Sequence, residues 1–188
     1  MTFLPRAAAL LAMLLGLSSP AWASDVPATA VPAFTVTLPQ PALPVTAAPA
    51  AHAFASLAEA VAAQDGLAED EHLRCLAGAV YFESQGQPLA GQLAVAQVIL
   101  NRIRSGRFAS TICGVVLQPH QFGFVRSGAI PPIPAGRAAY RVAVAVAKLA
   151  MSGGWAPVIG NALSFNGIHG PHVGGRRIAV IGGQAFYQ

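Results

Sequence analysis

Between residues 69 and 83, apolar side chains recur at Leu73, Leu76, Ala77 and Val80, the i, i+3, i+4, i+7 spacing that lines one face of a helix. Glu69, Asp70 and Glu71 put negative charge at its start, where unpaired backbone N–H groups favour it. A helix over 69–83 is therefore predicted, with Glu83 near its C-terminal end. The apolar line Leu89, Leu93, Ala96, Leu100 and Ile103 predicts a second helix from Pro88 to Ser105, with Gly106 as the stop. Proline suits the first helical position because the N–H it lacks would have no partner there. The two helices would present Glu83 and the loop 84–87 at one end of a packed pair.

A short helix around 110–117 carries Cys113, and 118–124 then mixes turn residues with aromatics. Pro131, Pro132 and Pro134 exclude a helix or a central strand there, so this stretch reads as loop lining a groove. Residues 137–151 read as a third long helix by length and alanine content, while the β-branched Val142, Val144 and Val146 keep a strand open. In the tail, 163–165, 178–181 and 185–187 are set off by glycine pairs and read as two or three short strands. The fold class expected is α+β, mainly α, with a small antiparallel β element.

The ends change the picture. Arg6, the apolar run Ala7 to Leu17 and the small-residue site Ala21-Trp22-Ala23 have the order of a secretory signal peptide over 1–23. The run is shorter than the roughly 20 residues that span a bilayer, so no stable membrane insertion is expected after cleavage. Residues 24–55 are Ala, Pro, Val and Thr with almost no charge and no period, the composition of a semi-extended linker. Residues 56–188 are then one domain, exported to the periplasm or cell envelope, or secreted. In an oxidising compartment Cys75 and Cys113 are expected to pair; a Cys nucleophile is the rival, with no polar dyad beside Cys75 to support it.

Charge is divided along the chain. All seven acidic residues lie at or before Glu83, and the residues after it carry eight Arg and one Lys. A C-terminal half of one sign would attract polyanions. With no basic run and no nucleic-acid motif, nucleic acid is not the expected partner; an anionic envelope polymer is. Glu83 follows Tyr81 and Phe82 where an apolar run breaks into polar residues and Gly, so it is either a general acid at the lip of a cleft or a helix-end charge balancing arginines. His169 and His172 lie in a Gly/Pro-rich loop without acidic or thiol ligands, and neither a metal nor another cofactor is expected.

Three ordered blocks carry a resemblance. Residues 75–87 (CLAGAVYFESQGQ), 91–102 (GQLAVAQVILNR) and 113–122 (CGVVLQPHQF) closely resemble the cell wall hydrolase family of SleB type, the family of spore-cortex-lytic enzymes. The likeness is strong over about 71–151 and looser in the tail. It implies a lysozyme-like, two-lobed domain that cuts the glycan strands of peptidoglycan, with the Glu of the first block, Glu83, as catalytic acid. This chain departs from the family pattern at Gln87, where a second Glu is common, and at Asn166 and Gln184, where the resemblance leads to His. Amides at those places keep hydrogen bonding but exchange no protons.

Most glycoside hydrolases use two carboxylates. The nearest acid to Glu83 in sequence is Glu71, about 18 Å away along a helix rising 1.5 Å per residue. One acid is sufficient for a lytic transglycosylase, in which the same Glu protonates the glycosidic oxygen and then takes a proton from the substrate's own C6 hydroxyl. That is the function expected, at the MurNAc-GlcNAc bond; the alternative is a non-catalytic peptidoglycan-binding protein of the same fold. Gln121, Phe122, Tyr81 and Asn166 are candidates for glycan subsites, Phe122 being equally an ordinary core residue. Asn101 and Arg102 fit better as groups that cap a helix and tie loops.

Overall fold

The computed structural model describes residues 53–171 and 174–188. The signal peptide, all but the last residues of the linker, and His172 lie outside the described residues. The first element, α1 (Leu57–Ala62), was not foreseen. It is six residues long, too short to show a period, but its start is a capping box in outline: Ser56 Oγ accepts from Glu59 N at 3.1 Å, and the Glu59 carboxylate accepts from Ala55 N at 3.0 Å.

Helix α2 (Glu71–Glu83) begins two residues later than the charge pattern suggests. The Asp70 carboxylate accepts from Leu73 N at 2.8 Å and so serves as the cap. Helix α3 (Leu89–Arg104) likewise starts one residue late: Pro88, with ψ 156°, is the cap and not the first helical residue. Helix α4 (Ile112–Val116) is capped by Thr111, and α5 (Ala138–Ser152) ends at Gly153, whose φ of 68° is left-handed. In α5 the valines are helical. Val144 and Val146 with Ala143, Ala145 and Ala147 are buried where α5 packs on α2 and α3, so burial decides against the strand their propensity allows.

Strands β1 (Ser164–Gly167), β2 (Arg177–Ile181) and β3 (Gln184–Tyr187) form an antiparallel sheet of order β1-β3-β2. Phe165 faces Phe186 and Val180 faces Ala185 across the ladders. The central β3 is buried along its whole length. Mainly helical with a small antiparallel sheet, the molecule has the expected architecture.

Two apolar clusters meet at α3. Leu93, Ala96 and Ile99 join the main core of α2, α4 and α5, while Ala94 and Val98 pack with Ile159, Ala162 and Phe186 beneath the sheet. A helix enclosed in this way is apolar nearly all round. That is why Val95, Val98 and Ile99 are fully buried in addition to part of the line expected, whereas Leu100 and Ile103 are only half-buried. Cys75 on α2 is paired with Cys113 on α4, their Cα atoms 5.3 Å apart.

Candidate active site

Glu83 is the last residue of α2, and its side chain lines a polar cleft of about 440 Å³ between the helices and the sheet. From the helical side the walls are Glu83, Gln87, Arg102 and the loop 121–123; from the sheet they are Phe165, Asn166 and Gly167 of β1, Gly183 of the β2–β3 turn and Gln184 at the start of β3. Burial pushes the Glu83 carboxyl above its ordinary value, because a charge there gives up hydration. The carbonyl end of α2 acts in the same direction. Glu83 is the lone acid in this wall. Glu71, the first residue of α2, lies at the far end of the helix beside a separate cavity of about 370 Å³ lined also by Arg74, Ile130 and Tyr140.

The aromatic loop is held by ring contacts. Phe82 stacks on Phe124 with centroids 4.8 Å apart, and Phe124 meets Phe122 at 5.6 Å. Phe122 is 6% exposed, packed into the core and also among the residues lining the cleft. Gln121 is exposed at the rim. Asn166 is in the wall, but its amide is engaged: Nδ2 donates to Pro171 O at 2.7 Å and Oδ1 accepts from Gly167 N at 2.9 Å. It therefore shapes the loop after β1.

Tyr81 is not in the cleft. Two residues before Glu83, it projects about 200° away around the helix at 100° per residue. Its ring is buried edge-on to Phe82 and Tyr140 and borders a different pocket, with Ser84, Gln92 and Val142. The sequence distance was short; the helical phase was wrong.

Three wall residues gain importance. Gln87 Oε1 accepts from Gly183 N at 2.8 Å, which ties the α2–α3 loop to the sheet. Gln184 Nε2 donates to the backbone oxygen of Glu83 at 3.0 Å. Arg102 is buried, with Nε donating to Leu163 O at 2.8 Å, while Asn101 Nδ2 donates to Gly160 O and Ala162 O, each at 2.9 Å. The loop-tying role expected for this pair is what these bonds do, but Arg102 also faces the cleft. A signal for that was present: with no acid after Glu83, an inward Arg in this half has no carboxylate of its own to meet.

A helical lobe and a small sheet thus enclose a cleft lined by the desolvated Glu83. The cell wall hydrolase family model matches residues 86–187, and the chain belongs to that family. Glu83 lies just before the matched span. A spore cortex-lytic enzyme of Bacillus cereus is 42% identical over 93 residues, covering 50% of this chain and 33% of that protein. Another from Oceanobacillus iheyensis is 38% identical over 106 residues, covering 56% and 36%. The chain thus spans about a third of the length of the curated relatives it matches. Among solved structures, the catalytic domain of the germination-specific lytic transglycosylase SleB from Bacillus anthracis superposes with a TM-score of 0.54 at 32% identity, covering 66% of this chain and 99% of that one. The catalytic domain of the Bacillus cereus SleB protein gives 0.51 at 31%, with 66% and 98% covered.

Proposed function

We propose that this chain cuts the glycan strands of peptidoglycan as a lytic transglycosylase, with Glu83 as acid and then base. The observation that carries this reading is the raised, desolvated Glu83 carboxyl standing as the lone acid of a polar cleft. Protonated Glu83 gives its proton to the glycosidic oxygen as the C1–O bond breaks. The C6 hydroxyl oxygen of N-acetylmuramic acid then bonds to C1, and the Glu83 carboxylate takes the hydroxyl proton, which restores the acid. The product is a 1,6-anhydro sugar and water is not consumed. The activity named for the Bacillus anthracis relative supports this over hydrolysis. A purely binding role draws no support from relatives named as lytic enzymes.

The site of action follows as the cell envelope or the exterior of the cell. Among the described residues no helix is long and apolar enough to cross a membrane. Export by the N-terminal signal and oxidation of the Cys75–Cys113 pair belong to the same reading, and thiol titration of protein recovered from the envelope tests both.

The deciding experiment is mass spectrometry of soluble products from purified peptidoglycan, beside a Glu83→Gln control. Anhydro-muropeptides that vanish in the control are expected. Hydrated, reducing-end products alone would replace the transglycosylase with a hydrolase, and no products with retained pelleting on peptidoglycan would leave a binding protein.

A further inference from the structure

The division of charge along the chain takes a place in the fold at the end of α3. Another cavity there, of about 390 Å³, is lined by Arg104, Ser105 and Arg107 from the helix end and by Asn161, Leu163 and Gln188 from the later chain. Arg176 adds a third cation, its Nη2 donating to Oε1 of Gln188 at 3.0 Å. All three arginines are exposed, as are Ser105, Asn161 and Gln188, so the cavity opens to solvent. No acid lines it among the described residues. The ion pairs among those residues are both made by Lys148, with Asp65 and Glu69, so none of the three arginines has a carboxylate partner there. Arg104 has a local reason to be where it is: it lies in the last turn of α3, and its Nη2 donates to Asn101 Oδ1 at 2.6 Å. Arg107 has none. It lies past the helix, and its guanidinium makes no hydrogen bond among the described residues. The carbonyl end of α3 opposes an anion, but Asn101 O and Ile103 O are already taken by Ser105 N at 2.8 Å and Gly106 N at 3.2 Å.

Clustered cations without counterions repel one another, and an anion placed among them relieves that repulsion. The guanidinium fork matches the two oxygens of a carboxylate. Which carboxylate is decided by what lies next door. Arg102, which lines the Glu83 cleft, donates to the backbone oxygen of Leu163, which lines this cavity. Along the chain, Leu163 of the cavity and Phe165 of the cleft are two residues of extended backbone apart, about 7 Å. A peptidoglycan strand seated in the cleft carries carboxylates of its own, on the peptide arms of its muramic acid residues. We propose that the Arg104–Arg107 cavity is an exosite for the free carboxylates of the peptide arm on the strand held at Glu83, so that this chain selects peptide-bearing glycan with its charge intact. This rests on the glycan-cleaving reading above. A phosphate polymer would also satisfy arginines, but the adjoining cleft favours an anion carried by the substrate itself.

The test is co-sedimentation of the purified Glu83→Gln protein, which needs no turnover, with two preparations of peptidoglycan at physiological salt. One is untouched, and in the other the carboxylates have been converted to carboxamides with carbodiimide and ammonia. Binding to the untouched preparation is expected to be about tenfold tighter. Adding Arg104→Gln together with Arg107→Gln, checked for an intact thermal transition, is expected to remove most of that difference. The same change of charge at Arg137 and Arg141, exposed on and beside the first turn of α5, is expected to leave it. Arg107→Gln alone breaks no hydrogen bond among the described residues, is expected to remove part of the difference, and decides even if the double variant does not fold. In the wild-type background the Arg104, Arg107 pair of substitutions is expected to raise KM for untouched peptidoglycan with little change in kcat. Equal binding to the two preparations, a difference that survives Arg107→Gln, or an equal loss from the α5 pair would overturn the exosite. So would substitutions at Arg104 and Arg107 that weaken binding of inorganic polyphosphate while leaving that of peptidoglycan unchanged, which would assign the cavity to a phosphate polymer. Wild type that leaves peptidoglycan uncut would overturn the catalytic reading alone, because sedimentation does not depend on cleavage.

Discussion

At Glu83 the useful property is a proton held at higher pH than an exposed carboxyl would hold it, and burial at the end of α2 supplies it. Glu83→Gln is expected to lower glycan cleavage by about 10² to 10⁴-fold, the usual contribution of a general acid, as read from muropeptide release. Because the acid must be protonated, cleavage in the wild type is expected to persist above the ordinary carboxylate range and to fall as pH rises through the raised value. Stability follows with a definite sign. A carboxyl whose value is higher folded than unfolded binds its proton more tightly when folded, so its contribution is full at low pH and is lost as pH rises through the folded value. Thermal scans should therefore find Glu83→Gln more stable than wild type at neutral pH, with the difference vanishing in acid. That Glu83 was a candidate acid was legible from its isolation in the sequence. That Tyr81 was no companion to it was not, because a two-residue step along a helix turns a side chain to another face.

At the scale of elements, α2 sets the position of the acid, and small residues let other segments close on it. Gly78 lies midway along α2, and a Cβ there would meet Ile130 Cγ2 at 3.1 Å. Gly78→Val is expected to force the proline-rich loop off the helix and destabilise the fold by about 1–3 kcal/mol, the usual cost of overpacking, measurable by denaturant unfolding. Asp70→Ala removes the cap on Leu73 N and should cost about 1 kcal/mol in the same assay. The long helices were readable because period 3.6 persists over many residues. The loss of definition came at their ends, where Asp70 and Pro88 proved to be caps, and at α1, where six residues hold too little pattern.

Over the whole molecule, the cleft exists because a sheet from the last part of the chain returns to the end of α2. Two glutamines secure the return, Gln87 to Gly183 N and Gln184 to Glu83 O. Gln87→Ala should leave the helical core folded while loosening the sheet, seen as faster hydrogen exchange across β2–β3 and lower cleavage. The Cys75–Cys113 link spans 38 residues and joins α2 to α4, and its removal by paired Ala substitution is expected to cost about 3–4 kcal/mol under the loop-entropy model, read from unfolding midpoints. By itself the sequence determined the helical periods, the tail strands, the division of charge, the solitary acid and the three blocks that resemble the cell wall hydrolases. These are local patterns, and local physics writes them into neighbouring residues. Only the tertiary structure decided that Arg102 and Gln184, far apart in the chain, share a wall with Glu83, and that Tyr81 does not. Burial and hydrogen-bond closure act between segments distant in sequence, and no local spacing encodes which polar atoms will be left facing the cleft.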